Sequence, residues 1–202
     1  MYPQLAQYLA DRRAEYARID TARADRWGPL IEYLDERAQL GLPTRLHFIC
    51  THNSRRSQLA QAWTQLIAQA LQWNNVTAFS GGTEATEVPA AVTDTLTAAG
   101  WRTVGEDGTI AYGDQTRQRI RLWSKRYDDP SSPTADFAAV LVCGEADKAC
   151  PVVPGAGLRL PLPFDDPKVA DGTPEATAVY AARSRDICRE LLFVFERAKG
   201  LV

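Results

Sequence analysis

Leu46-His47-Phe48-Ile49-Cys50-Thr51-His52-Asn53-Ser54-Arg55-Arg56-Ser57 is the run of this 202-residue chain from which its architecture can be read. An apolar run of strand length, residues 46–50, feeds a short polar loop. From Leu59 onward apolar residues recur every three or four positions, at Ala62, Trp63, Leu66, Ile67, Ala70 and Leu71. That pattern predicts a strand, a loop and an amphipathic helix. A loop in this setting is an anion cradle. Its successive backbone N–H groups and the free N–H groups of the helix start converge on one point, where the helix dipole adds positive potential. Arg56 closes the ring as a bidentate fork for a tetrahedral oxyanion. The same field favours the thiolate form of Cys50, the form that acts as a nucleophile. Thr51, His52, Asn53, Ser54, Arg55, Arg56 and Ser57 are therefore the expected oxyanion-binding run, with the side chain of Arg55 expected in solvent.

Downstream, residues 76–79 read as a second strand that ends in Ser80, Gly81 and Gly82, small residues suited to packing beneath the loop. Residues 89–99 read as a helix stopped by Gly100. Residues 138–142 and 158–162 read as two further strands. Residues 174–199 read as a long closing helix with Val179, Ile187, Leu191, Leu192 and Phe195 on its inner side. Strands alternating with helices predict an α/β, doubly wound (Rossmann-like) fold with a four-stranded parallel sheet flanked by helices. The alternation breaks between Trp101 and Phe137. There, residues 109–112 and 119–123, around Gly113 and Asp114, predict a hairpin-like insertion. Upstream, residues 1–41 read as two helices, the second capped by Asp20 and ended by Gly41 and Pro43. The expected organisation is an N-terminal helical extension, residues 1–45, followed by a catalytic domain, residues 46–202.

Composition narrows the function classes. Lys plus Arg number 23 against 25 Asp plus Glu, a net charge of −2, and 45% of residues are hydrophobic. This is the balance of a folded chain, and it carries no electrostatic footprint for nucleic acid. No stretch approaches the roughly 20 apolar residues that cross a bilayer, and the start Met1-Tyr2-Pro3-Gln4 does not read as an export leader. A cytoplasmic protein is expected, with neither nucleic acid nor membrane as partner. In that compartment Cys50, Cys143, Cys150 and Cys188 are more readily catalytic, metal-binding or inert than disulfide-bonded. Zinc spacing is missing, and only His47 and His52 offer imidazole, so neither a metal nor another cofactor is expected.

The Cys-x5-Arg-Ser run from Cys50 to Ser57, set at the end of the first strand, resembles that of the low-molecular-weight protein tyrosine phosphatase superfamily, which includes the thioredoxin-coupled arsenate reductases. The resemblance implies that Cys50 is the nucleophile, that Arg56 binds the oxyanion, that Ser57 donates a hydrogen bond to the sulfur, and that Asn53 holds the loop in shape. It also implies a distant Asp-Pro general acid, which Asp166 before Pro167 matches, with Asp165 as second choice. Cys143 and Cys150, seven positions apart directly after an apolar strand, look like the redox pair of the reductases. The stretches 164–167 and 172–175 look like that branch too. Cys188, among apolar neighbours, is expected in the core.

Two activities follow from the resemblance. One is reduction of arsenate to arsenite through a Cys50, Cys143 and Cys150 relay, with thioredoxin as reductant. The other is hydrolysis of phosphotyrosine through a phosphocysteine. Arsenate and phosphate are close analogues, so the cradle alone does not separate them. A third reading, an anion-binding or redox-sensing module without turnover, is opposed by the joint presence of Cys50, Arg56 and Asp166, because a binder needs no general acid. The chain departs from the family at three places: His52 stands where Gly is usual, Arg55 where many relatives have a second cysteine, and Lys168 and Val169 where the tyrosine phosphatases carry Tyr.

Overall fold

The computed structural model describes residues 1–150 and 152–202. Helices α1 (Pro3–Arg13), α2 (Thr21–Arg26) and α3 (Gly28–Gln39) precede strand β1 (Thr44–Cys50), helix α4 (Arg56–Ala70), strand β2 (Val76–Gly82) and helix α5 (Ala90–Ala99). Three short strands follow, β3 (Arg102–Thr103), β4 (Thr109–Ala111) and β5 (Arg119–Arg121). The chain ends with β6 (Phe137–Leu141), α6 (Gly144–Ala149), β7 (Ala156–Pro161) and α7 (Ala176–Ala198).

The main sheet has four strands in the order β2-β1-β6-β7, parallel throughout. β6 lies between two neighbours and is buried along its whole length, as a continuous apolar strand in a parallel sheet requires. From β1 the chain steps to β2 on one side, then returns to β6 and β7 on the other. The order therefore reverses between β1 and β6, and the carboxyl ends of strands at such a switch point leave a crevice for a ligand. Cys50 ends β1 there, and Cys143 follows β6.

The outward side of β2 is closed. The Ala78 N–H donates to Gln65 Oε1 at 3.2 Å. Gly82 exchanges backbone hydrogen bonds with Lys125 O and Tyr127 N at 2.9 and 2.8 Å. On α4, Leu59, Ala62, Trp63, Leu66 and Ile67 are fully buried, the stripe that the spacing predicts. α4 packs on β1 and β2 and against α7, and α7 also meets α1, α3 and α5.

The expected hairpin gains a third strand. β3, β4 and β5 form a small antiparallel sheet with Ile110 paired to both Thr103 and Ile120. The second N-terminal helix is broken at Trp27, where Gly28-Pro29 restarts it as α3; Pro is well accommodated in a first helical turn and poorly inside a helix.

The N-terminal helices share the core with the rest of the chain. Leu5, Trp27, Leu30 and Leu34 are fully buried, and Tyr8 stacks on Trp63 at 4.8 Å. Two buried carboxylates of α7 face them. Glu190 accepts from Trp27 Nε1 at 2.8 Å and Arg23 Nε at 2.7 Å. Glu196 accepts from Tyr16 at 2.8 Å and pairs with Arg13.

Candidate active site

The loop after β1 is built around Asn53, whose φ of +45° is left-handed. Asn is among the few L-residues that enter this region readily, because its short amide can bond locally. Its Nδ2 donates to Ser57 Oγ at 2.9 Å, and its Oδ1 accepts from the Lys125 backbone at 3.0 Å. Ser57 Oγ in turn lies 3.1 Å from Cys50 Sγ. A chain of contacts thus runs from the insertion to the sulfur. His52 keeps an ordinary φ, the left-handed turn falling one residue later. Its Nδ1 lies 3.4 Å from Glu84 Oε2.

Residues 123–125 support the loop from below: Trp123 O accepts from Gln58 Nε2 at 2.9 Å, and Ser124 Oγ donates to His52 O at 2.8 Å. Nothing in the sequence points to Ser124. Gly82 also matters. A Cβ there would stand 2.6 Å from Thr51 O and 2.7 Å from Asn53 N, so only glycine lets β2 abut the loop. Beneath the loop, burial pushes the Lys125 ammonium down to about 8, with Asp129 opposing, and its Nζ lies 4.5 Å from the Trp123 ring centre. In β1 burial pushes His47 down to about 4, helped by Lys125 and opposed by the Ser80 backbone.

Cys50, Thr51, His52, Ser54, Arg55 and Arg56 line a cleft of ≈ 690 Å³, faced by Gly144, Glu145 and the segment after β7, Pro163 to Val169. Arg56 crosses it. Its Nη1 donates to Phe164 O at 2.8 Å, and its Nη2 to Asp166 Oδ2 at 2.7 Å. Asp166 Oδ1 accepts from the Lys168 backbone at 3.1 Å and caps the turn Pro167–Ala170. Asp165 points outward to Arg183 at 3.1 Å. Contrary to the expectation from the sequence, Arg55 is not in solvent. Its side chain is 12% exposed, held by Tyr180 and Asp171, because α7 and the turn before it close over the helix start.

The other thiols sit beside the loop. Cys143 Sγ is 3.4 Å from Thr51 Oγ1 and accepts the Ala146 N–H at 3.3 Å as the cap of α6. Cys150 stands at the far end of α6. Burial pushes its thiol up, and Arg159, which donates to Cys150 O at 2.9 Å, opposes that. Cys188 is fully buried in α7, and burial pushes its thiol well up. All four cysteines are free.

No family model matches the chain. The arsenate reductase of Halalkalibacterium halodurans is 33% identical to it over 142 residues, 70% of this chain and 86% of that protein. The arsenate reductase of Bacillus subtilis (strain 168) is 32% identical over 142 residues, with the same shares. Among solved structures, the low-molecular-weight protein tyrosine phosphatase from T. tengcongensis aligns with a TM-score of 0.53 at 16% identity, over 76% of this chain and 98% of its own. One from Bacillus subtilis aligns with a TM-score of 0.54 at 17% identity, over 78% and 97%. The reductases, matched at about a third identity over most of their length, establish the relationship and the two structures establish the fold: the chain belongs to the arsenate reductase family and has the fold of the low-molecular-weight protein tyrosine phosphatases.

Proposed function

We propose that this protein reduces arsenate to arsenite in the cytoplasm by a three-thiol relay, with residues 46–202 as the catalytic part and residues 1–45 as its helical extension. Cys50 Sγ attacks arsenic held by the loop N–H groups and the Arg56 fork, forming an S–As bond. Asp166 gives its proton to the departing oxygen, which leaves as water. Cys143 Sγ then attacks Cys50 Sγ. The new S–S bond forms as the S–As bond breaks, and its electron pair stays on arsenic, which leaves as arsenite. Cys150 attacks Cys143, returns Cys50 to the thiolate and ends in a Cys143–Cys150 disulfide. A thioredoxin dithiol reduces that disulfide, so the two electrons delivered to arsenic are restored.

The observation that carries this reading is the 3.4 Å contact between Thr51 Oγ1 and Cys143 Sγ, a second thiol directly against the oxyanion loop. The last exchange demands movement. Cys143 and Cys150 flank the six residues of α6, which at the helical rise sets their Cα atoms about 10 Å apart. A disulfide needs about 4.4–6.8 Å, so α6 unwinds before the bond closes. Unwinding also lifts the burial that holds the Cys150 thiol up and turns it into a better nucleophile.

The test is steady-state arsenate turnover with thioredoxin, thioredoxin reductase and NADPH, beside hydrolysis of an aryl phosphate. Cys143→Ser and Cys150→Ser are expected to lose multiple-turnover arsenate reduction and to keep aryl phosphate hydrolysis, whereas Cys50→Ser loses both. Undiminished arsenate turnover in either of the first two variants would refute the relay. Aryl phosphate hydrolysis in a wild-type protein without arsenate turnover would favour the phosphotyrosine reading instead.

A further inference from the structure

Two consecutive arginines at the start of α4 grip the segment between β7 and α7 at its two ends. Arg56 holds the near end, through Phe164 O and Asp166. Arg55 holds the far end: its Nη2 donates to Asp171 Oδ2 at 2.6 Å and its Nε to Tyr180 Oη at 2.5 Å. Tyr180 closes the triangle by donating to Asp171 Oδ1 at 2.7 Å. Between the two grips lies the turn Pro167–Ala170, capped by Asp166 at one end and Asp171 at the other.

The near grip is weakest when it is needed. A bound oxyanion competes with Asp166 for the Arg56 guanidinium, and an Asp166 that carries the proton it is about to donate has no charge to hold that guanidinium. The far grip involves no reacting group and survives both events.

We propose that Arg55 is a positioning residue, whose staple to Asp171 and Tyr180 keeps the Asp166 turn on the anion loop once the substrate has taken Arg56. This rests on the reading of Arg56 as oxyanion ligand and Asp166 as acid. It also assigns a purpose to a charged side chain where many relatives carry a cysteine. Arg55 is neutralised by its own carboxylate partner, so it contributes little to anion affinity.

Hydrogen exchange of the 164–171 amides, with and without saturating inorganic phosphate, reads the staple directly. Wild-type protein is expected to keep these amides protected with phosphate bound. Arg55→Ala is expected to exchange them about tenfold faster in that state, the scale of losing charged hydrogen bonds. Arg55→Lys, which restores the ion pair alone, and Tyr180→Phe, which removes one hydroxyl, fall between and carry the test should Arg55→Ala fold poorly.

In arsenate turnover Arg55→Ala is expected to lower kcat about tenfold, against about a hundredfold for Asp166→Ala, and to add nothing in the double variant. The inhibition constant for phosphate should move by less than about threefold, the range that ordinary surface charge screening allows. Wild-type protection of residues 164–171 in phosphate-bound Arg55→Ala and Arg55→Lys overturns the proposal, as does a phosphate affinity lost more than about tenfold, which would make Arg55 a direct ligand. An unchanged kcat in Asp166→Ala overturns the acid assignment instead, and leaves the exchange measurement to judge the staple.

Discussion

At φ +45° Asn53 stands in a region that costs an L-residue roughly 1–2 kcal/mol, and the loop recovers this through both ends of one amide. The thiol chemistry therefore depends on a residue that never meets the substrate side of the sulfur. His47, three positions before Cys50, bears instead on stability. Its folded pKa of about 4 lies below the ordinary 6.5 because it is buried. Between pH 6.5 and 4 the unfolded chain takes up a proton that the folded chain refuses. The contribution is thus complete above pH 6.5 and falls away by up to about 3 kcal/mol as the pH drops to 4. Urea unfolding across that range should show wild-type protein losing stability more steeply than His47→Leu; parallel curves would mean that His47 does not set the acid limit. At this scale the sequence discloses residues whose chemistry is local, such as Cys50 and Arg56, six positions apart at the two ends of one loop. It does not disclose the surroundings of Arg55 or Lys125, because their partners Asp171, Tyr180 and Trp123 reach them only through the tertiary fold.

Among the elements, α4 and α6 mark two limits of legibility. α4 announces itself by a stripe of five fully buried apolar side chains. α6, Gly144-Glu145-Ala146-Asp147-Lys148-Ala149, has one buried residue and no apolar period, so no pattern predicts it. It is held from its ends, by the Cys143 sulfur at the start and by Arg159 of β7, which donates to Asp147 O at 2.8 Å and to Cys150 O. Six residues are too few for a stable helix by themselves. The relay needs that marginality. At Gly144 an added Cβ meets nothing within 4 Å, so Gly144→Ala should stabilise α6 by roughly 0.4–1 kcal/mol. Closure of the Cys143–Cys150 bond, followed by quenched thiol counting in a single turnover, should then slow by about two- to fivefold. A faster or unchanged rate would mean that α6 does not unwind to let the thiols meet.

Over the whole molecule, the N-terminal helices belong to the core, although every site residue lies beyond them. Trp27, Arg23, Arg13 and Tyr16 supply the partners of Glu190 and Glu196, and two buried carboxylates stripped of partners are strongly destabilising. A fragment of residues 42–202 should therefore be poorly soluble, or melt well below the full chain, even though it carries Cys50, Arg56, Asp166, Cys143 and Cys150. Cooperative unfolding of that fragment within a few degrees of the parent would show the helices to be dispensable. The parallel sheet was legible as a whole because alternation of strands and helices is a long-range statistical signal. The third strand of the insertion was not, since β3 has only two residues. The closed outer side of β2 bears on how the protein behaves when crowded with its own copies. With the Ala78 N–H occupied by Gln65 and both backbone groups of Gly82 occupied, this border offers no uninterrupted row of free amides. In concentrated solution the β2 border is thus a poor template for chains to zip into fibrils.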